Sequence, residues 1–251
     1  MKKRRNYRNR PGTAAVFVAM NQSLRLRTIT EWLAFAALVL CGRSGVAQSQ
    51  SVDCTTAPKN KVQLAETDQN GKTHLQLARK VDIPASVDLE VCDADLTIKG
   101  GKDNFLRITV DFDKGTPSLP AGDYLQALDV GPETVNVKLQ LPKRPRAKVL
   151  VVVPPSTPRL QLNLVRGDLF LETDRIAGER RVNVVSGHVE VLANPDSYEA
   201  LHASVLWGSF HDRREGGEEG HGMVSKSRTG TGKGSIEVNV VRGSLVLAAW
   251  D

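Results

Sequence analysis

The chain has 251 residues, of which 40% are hydrophobic and only 5% aromatic, and it contains 21 glycines and 12 prolines. This composition excludes a disordered, collagen-like or coiled-coil protein. No apolar run reaches the roughly 18 residues of a transmembrane helix, which excludes a multi-spanning membrane protein.

The net charge of +6 is concentrated at the N-terminus. Residues 1–47 hold nine of the 34 basic residues and one of the 28 acidic residues. The rest of the chain therefore has 25 basic and 27 acidic residues, a balance of −2. Because no basic surplus is left to neutralise phosphates, we do not expect nucleic acid as a partner.

Residues 1–47 are predicted to be a secretory signal peptide. Arg25 and Arg27 precede a short apolar run at 32–42, and Gly45-Val46-Ala47 supplies the small residues of a cleavage site. A charged region, a short apolar region and a small-residue site occur in the order that signal peptides require. The apolar run is too short to span a bilayer, so we expect no transmembrane anchor after cleavage.

The signal peptide predicts an exported protein of the periplasm, cell envelope or extracellular space. Met20 would begin a leader of ordinary length, so the true start codon stays open. Lipidation at Cys41 is a further alternative, although the preceding Leu40 is bulky for that modification.

Two cysteines, Cys54 and Cys92, follow the predicted cleavage site. In an oxidising compartment such a pair forms a disulfide by default. We therefore predict a structural Cys54–Cys92 disulfide, with two separate buried thiols as the alternative. Residues 48–73 are polar and are predicted to be poorly ordered apart from Cys54.

Alternating apolar and polar residues dominate the chain after residue 74. The segments 87–91, 106–112 and 135–141 each place aliphatic residues on one face and polar residues on the other. A period of two is typical of strands with one buried face. The mature chain is therefore predicted to be all-β, with an irregular region at 74–153 that continues into a repetitive region at 154–251.

A nine-residue pattern recurs in the repetitive region. Its template is Asn, two aliphatic residues, a polar residue, Gly and a variable residue, with aliphatic residues second and fourth after the Gly. The copies begin at Asn163, Asn183, Ser204 and Asn239 and contain Gly167, Gly187, Gly208 and Gly243. A weaker copy begins at Glu90 and has Ala94 in place of Gly. Steps of about 20 residues favour stacked units of a β-solenoid.

In such a stack the glycines are predicted to form corners, where their backbone adopts φ > 0 or approaches a neighbour closely. The asparagines are predicted to hold the corners together, by bonding to nearby backbone and by stacking on the Asn of the next rung, and the alternative is that Asn163 and Asn183 line a ligand groove. The predicted interior columns are Leu169, Val189, Phe210 and Leu245, and then Leu171, Val191 and Leu247, with Asp212 interrupting the second. The insertion at 213–222 is expected to bulge from the stack.

These repeat units, the preceding Leu96–Gly100 segment and the exported setting resemble the putative-adhesin domain family of bacterial envelope proteins. The resemblance covers roughly residues 87–247. It implies a β-solenoid-like fold of unknown molecular function and supplies no catalytic residues. Ser204 in place of Asn and the insertion after it depart from the pattern.

Motifs for chemistry are scarce. No nucleophile elbow or zinc-protease signature occurs, and Gly230–Ser235 precedes a strand, so we interpret it as a turn rather than a nucleotide site. One cluster has residue types that bind divalent ions: His211, Asp212, Glu215, Glu218, Glu219 and His221. Its glycines favour a solvated loop instead, and Trp207 with Phe210 could form a sugar-binding surface or belong to the core. We expect no catalytic residue, metal or cofactor.

Three function classes follow. The first is a noncatalytic exported scaffold or adhesin-like binding module, whose partner is an envelope protein or a glycan. The second is an envelope sensor or accessory domain that binds a protein. The third is a carbohydrate-active enzyme on a β-helical frame, which would need stacked carboxylates. The outward positions instead hold Asp168, His188, Ser209 and Ser244. The oligomeric state is not predicted.

Overall fold

The computed structural model describes residues 65–69, 72–81, 84–112, 124–141, 143 and 146–250. All fifteen strands belong to one curled sheet, and a single 3₁₀ turn, Pro195–Ser197, accompanies them in the described ranges. The strands are β1 (Ala65–Gln69), β2 (Lys72–Lys80), β3 (Ser86–Asp93), β4 (Asp95–Gly100), β5 (Phe105–Phe112), β6 (Leu125–Val130), β7 (Thr134–Leu139), β8 (Ala147–Val153), β9 (Arg159–Arg166), β10 (Leu169–Glu172), β11 (Glu179–Leu192), β12 (Ala200–Asp212), β13 (Glu219–His221), β14 (Val224–Thr229) and β15 (Ser235–Ala248). The all-β prediction is confirmed.

The sheet bends along one line, which divides it into two halves. The first half-sheet contains β7, β3, β9 and the leading parts of β11, β15 and β12, all parallel. The second half-sheet contains β8, β4, β10 and the trailing parts of the same three long strands. Each long strand therefore crosses the bend, whereas β3–β4 and β9–β10 cross it as pairs of shorter strands.

Antiparallel strands cover both ends of the parallel arrangement. β6 pairs with β7 and β5 pairs with β8 at one end, with β2 and β1 beyond β5. At the other end β14 and β13 pair with β12. Residues of the predicted insertion thus extend the sheet as β13 rather than bulging from it, and β1 lies inside the segment 48–73, where we predicted no element.

The repeats do not stack in the order of the chain. β15 lies between β11 and β12, with Asn239 opposite both Asn183 and Ser204. A stack in chain order would place β12 beside β11. Since β13 and β14 fold back on the outer edge of β12, the inner edge of β12 is left for the last repeat.

The core lies on the inner face of both half-sheets, where alternate residues are buried. One column runs through Leu96, Leu169, Val189, Leu245 and Phe210, and the next through Ile98, Leu171, Val191, Leu247 and Asp212. Burial of these side chains in register provides the main driving force for the stack. No helix in the described ranges is long and apolar enough to cross a membrane.

Candidate binding surfaces

The bend in the sheet is built from glycines. The structure brings Gly167, Gly187, Gly243 and Gly208 into one column, with Ala94 at its end. Their φ angles lie between +142° and +157°, a region of backbone conformation that residues with a β-carbon rarely adopt. A β-carbon on Gly187 would lie 1.7 Å from the carbonyl oxygen of Gly167. Backbone therefore packs on backbone at every step of the bend.

An asparagine ladder runs beside the glycine column on the outer face of the first half-sheet. Asn183 Nδ2 donates to Asn163 Oδ1 at 3.0 Å, and Asn239 Nδ2 donates to Asn183 Oδ1 at 3.1 Å. Ser204 Oγ continues the ladder with a 2.6 Å hydrogen bond to Asn239 Oδ1. The amides therefore bond to one another, which supports a structural role over a ligand groove at Asn163 and Asn183.

Cys92 is buried at the end of β3. Its predicted partner, Cys54, lies outside the described residues, as do the predicted signal peptide and Cys41. The Cys54–Cys92 disulfide stays a prediction.

The acidic and histidine cluster at 211–221 does not converge on one point. His211 Nδ1 lies 3.3 Å from Glu219 Oε1, and its ring lies 6.0 Å from that of His221. Asp212 points inward, and Glu218 pairs with Lys226. Within the described part of the chain, no group of three such residues has the geometry to hold a metal ion.

Asp212 instead belongs to a buried ion pair at the end of the stack. Arg214 Nε and Nη2 contact its two carboxylate oxygens at 2.8 and 2.9 Å, and Arg228 Nε lies 2.8 Å from Oδ2. Burial opposes ionisation of Asp212, but the hydrogen bonds and charge of Arg214 outweigh it and hold the Asp212 pKa below its ordinary value. Arg214 Nη1 also donates to the Tyr198 hydroxyl at 2.9 Å.

A second arginine, Arg180, is buried at a core position of β11 and faces only backbone carbonyls. Its shortest bonds are from Nη1 to the Ile176 carbonyl at 2.5 Å and from Nη2 to the Ser197 carbonyl at 3.0 Å. Longer bonds reach Thr173, Lys233 and Ser235. Burial lowers the Arg180 pKa to about 10, so the side chain stays charged at neutral pH. It connects the three segments 173–176, 197 and 233–235 that return the chain to the first half-sheet.

An exposed apolar stripe follows the outer side of the bend. We call Val185, Val241, Leu206 and Trp207 the corner stripe. The three aliphatic side chains occupy the same place in successive repeats and are 41–49% exposed, and Trp207 is 67% exposed. Phe210 is buried instead, so Trp207 and Phe210 do not form a common sugar-binding surface. The signal in the sequence is the third template position, which is aliphatic in the four stronger copies although the alternation points it outward.

Arginines flank the corner stripe on the side nearer the glycines. Arg242 lies beside Trp207 and Ser186 in register, and Arg166 follows beyond Ser186. Arg242 is exposed and has no ion pair among the described residues, while Arg166 lies 3.8 Å from Asp93. The surface is therefore apolar at its centre and basic along one side.

The outer face of the second half-sheet has a polar row just past the bend. Asp168 Oδ1 accepts from the His188 backbone N–H at 3.1 Å, and His188 Nδ1 lies 2.6 Å from Ser244 Oγ. Ser209 is the next residue in register. Asp168 contacts the backbone of His188 and not its imidazole, so the residues are not arranged as a nucleophile with an oriented base.

A cleft of about 590 Å³ opens where β4 and β10 end. Lys99, Lys102, Glu172, Asp174 and Trp250 contribute to its walls. The sequence offered no indication of this site, because its residues come from segments far apart in the chain.

Comparisons with known proteins add little to this geometry. No family model and no curated protein matches the chain. A crystal structure of a putative cell adhesion protein from Clostridium sporogenes is similar at 14% sequence identity and a TM-score of 0.45, over 70% of this chain and 99% of that one. A likeness at this identity and TM-score carries no argument about function.

Proposed function

We propose that this protein is an exported, noncatalytic binding module of the cell envelope, built as a β-solenoid-like stack that docks a protein partner through the corner stripe. The exposed corner stripe is the observation that carries the proposal. Exposed apolar side chains that form a contiguous patch mark interaction surfaces more often than isolated ones do. Trp and Arg are also the residue types most enriched at the centres of protein interfaces.

The charge beside the stripe specifies the partner. Arg242 is exposed and makes no ion pair with any described residue, so it favours a carboxylate on the bound surface. We therefore expect a protein segment that combines aliphatic and acidic residues. The rigid glycine column beneath the stripe supports this role, because a surface that is already ordered loses little entropy on binding.

Site-specific crosslinking in cells tests the proposal. A photo-crosslinking amino acid in place of Trp207 should capture one envelope protein, whereas the same group in place of Glu215 should not. The captured protein is then purified, and its affinity for wild-type chain and variants is measured by titration calorimetry. We expect Val241→Thr and Arg242→Glu each to weaken binding about tenfold, the equivalent of roughly 1.4 kcal/mol.

Val130→Thr is the matched control, because Val130 is 42% exposed against 44% for Val241 but lies on β6 at the opposite end of the sheet. Its affinity should equal that of the wild type. Equal binding by all three variants, or capture from position 215 alone, would refute the corner stripe as the docking surface.

A further inference from the structure

The cleft where β4 and β10 end has the size of a small-ligand site. Its volume of about 590 Å³ falls within the roughly 300–1,000 Å³ of known ligand pockets. Ile98 pairs with Leu171 across the two strands, so Lys99 and Glu172, the next residues, enter the cleft side by side. The site lies on the second half-sheet and is separate from the corner stripe.

Trp250 forms one wall of the cleft, and both its backbone and its side chain contact neighbouring residues. Its backbone N–H donates to Asn194 Oδ1 at 3.0 Å, and its side chain lies close enough to Asp174 to lower the pKa of that carboxyl. Trp250 is nevertheless 40% exposed. An indole held at the cleft wall in this way offers an apolar face to a ligand.

The charges in the cleft are only partly neutralised. Arg107 and Asp103 satisfy each other through two hydrogen bonds of 2.7 and 2.6 Å. Lys99 and Lys102 have no ion pair among the described residues. Glu172 and Asp174 add carboxylate oxygens that can accept hydrogen bonds from hydroxyl groups. Burial raises the pKa of Asp174, and nearby Asp196 adds to that effect.

We propose that this cleft binds an acidic saccharide, whose ring packs on Trp250 and whose carboxylate contacts Lys99 and Lys102. A sugar that carries a negative charge could use all three kinds of group in the cleft. Its ring would pack on the indole, its hydroxyl groups would donate to the carboxylates, and its charge would contact the two ammonium groups. A neutral sugar would leave both lysines without partners, and a simple anion would leave the indole face unused.

Titration calorimetry with trigalacturonic acid tests the proposal. Wild-type chain should bind this probe, and its fully methyl-esterified form, which keeps the rings but loses the charge, should bind at least about tenfold more weakly. Trp250→Ala should also weaken binding about tenfold, since removing a stacking side chain costs on that order. The double variant with Lys99→Met and Lys102→Met should distinguish the free acid from its methyl ester less than the wild type does, with Arg175 left as a cation in the lining.

Matched controls separate the site from general effects. Trp207→Ala removes an exposed Trp at the corner stripe, and Lys143→Met removes an exposed Lys outside the cleft. Both should bind trigalacturonic acid as the wild type does, and circular dichroism checks that Trp250→Ala is folded. Three results would each overturn the proposal: no binding to wild-type chain, no effect of Trp250→Ala, or inorganic phosphate that competes as strongly as the saccharide. None of these results bears on the corner stripe.

Discussion

The two sides of the stack are held by different parts of the chain. At the bend, Gly167, Gly187, Gly243 and Gly208 bring backbone against backbone. On the return side, loops lead from the second half-sheet back to the first. There Arg180 donates hydrogen bonds to backbone carbonyls of three separate segments.

The contrast shows two solutions to the same problem of buried or crowded polar backbone. A regular bend repeats its geometry, so each strand satisfies the next, and glycine is required for its positive φ and for space. The return segments differ in length and sequence, so their carbonyls do not face one another. A guanidinium with five donors in a fixed plane can satisfy carbonyls that no regular ladder reaches.

The strongest test of the bend is Gly187→Val. A β-carbon at this position would lie 1.7 Å from the Gly167 carbonyl oxygen and would require φ near +157°. We expect the variant to lose at least about 4 kcal/mol of unfolding free energy, because losses of that size arise from backbone strain and overpacking, and this substitution causes both. Urea denaturation followed by circular dichroism measures the loss.

Ser186→Val is the control for that experiment, because it adds the same side chain one residue earlier on the partly exposed outer surface. It should change the unfolding free energy by less than about 1 kcal/mol. If Gly187→Val were as stable as Ser186→Val, the backbone of the bend could not be as closely packed as described.

The return side is tested by Arg180→Met. The substitution keeps much of the side-chain volume but leaves the Ile176 and Ser197 carbonyls without their donor. Buried acceptors that lose their partners cost about 1–3 kcal/mol each, while removing a desolvated charge offsets part of that cost. We expect a net loss of about 3 kcal/mol, together with faster proteolysis of the segments at 173–176 and 233–235.

Arg181→Met is the matched control, since Arg181 is the next residue and points to the outer face, where it pairs with Glu179 and Glu237. A partly exposed pair of this kind contributes about 1 kcal/mol or less. Equal losses in the two variants would show that Arg180 contributes no more than a surface ion pair.

The repeat template explains which of these features could be predicted from the sequence. Alternation predicted the strands, and the spacing of the glycines placed Leu169, Val189, Leu245 and Phe210 in one column. The position of β15 between β11 and β12 was not predictable, because every repeat presents similar edges and any copy can pair with any other. The choice depends on β13 and β14, whose short polar sequences carry no strand signal.

Arg180 and the cleft were missed for a related reason. Arg180 interrupts an aliphatic column, which marks the position as unusual. Its hydrogen-bond acceptors are backbone carbonyls, however, and because every residue has one, the sequence does not show which carbonyls it will bind. Lys99, Glu172 and Trp250 meet only because β4 and β10 end at the same edge. A single sequence contains no pattern that relates residues so far apart.

Protonation of Asp212 provides the finest test of the return side, since Arg214, its partner, also donates to Tyr198, which directly follows the 3₁₀ helix Pro195–Ser197. Its pKa is lower in the folded chain than the ordinary value near 3.9. The ion pair therefore contributes stability above that ordinary pKa, and the contribution disappears as the pH falls through the folded-state value. Asn mimics the protonated carboxyl, so Asp212→Asn should lower the unfolding free energy at pH 7.

The difference between wild type and Asp212→Asn should be largest near pH 6 and should shrink when urea denaturation is repeated below the ordinary pKa of the carboxyl, because the folded chain then takes up a proton that costs it the ion pair. Asp129→Asn serves as the control, since Asp129 is exposed on β6 and has no ion pair in the described part of the chain. A difference for Asp212→Asn that stayed constant over this range would mean that Arg214 is held by shape and hydrogen bonding alone. The return side would then depend on charge only at Arg180, where the guanidinium meets carbonyl dipoles instead of a carboxylate.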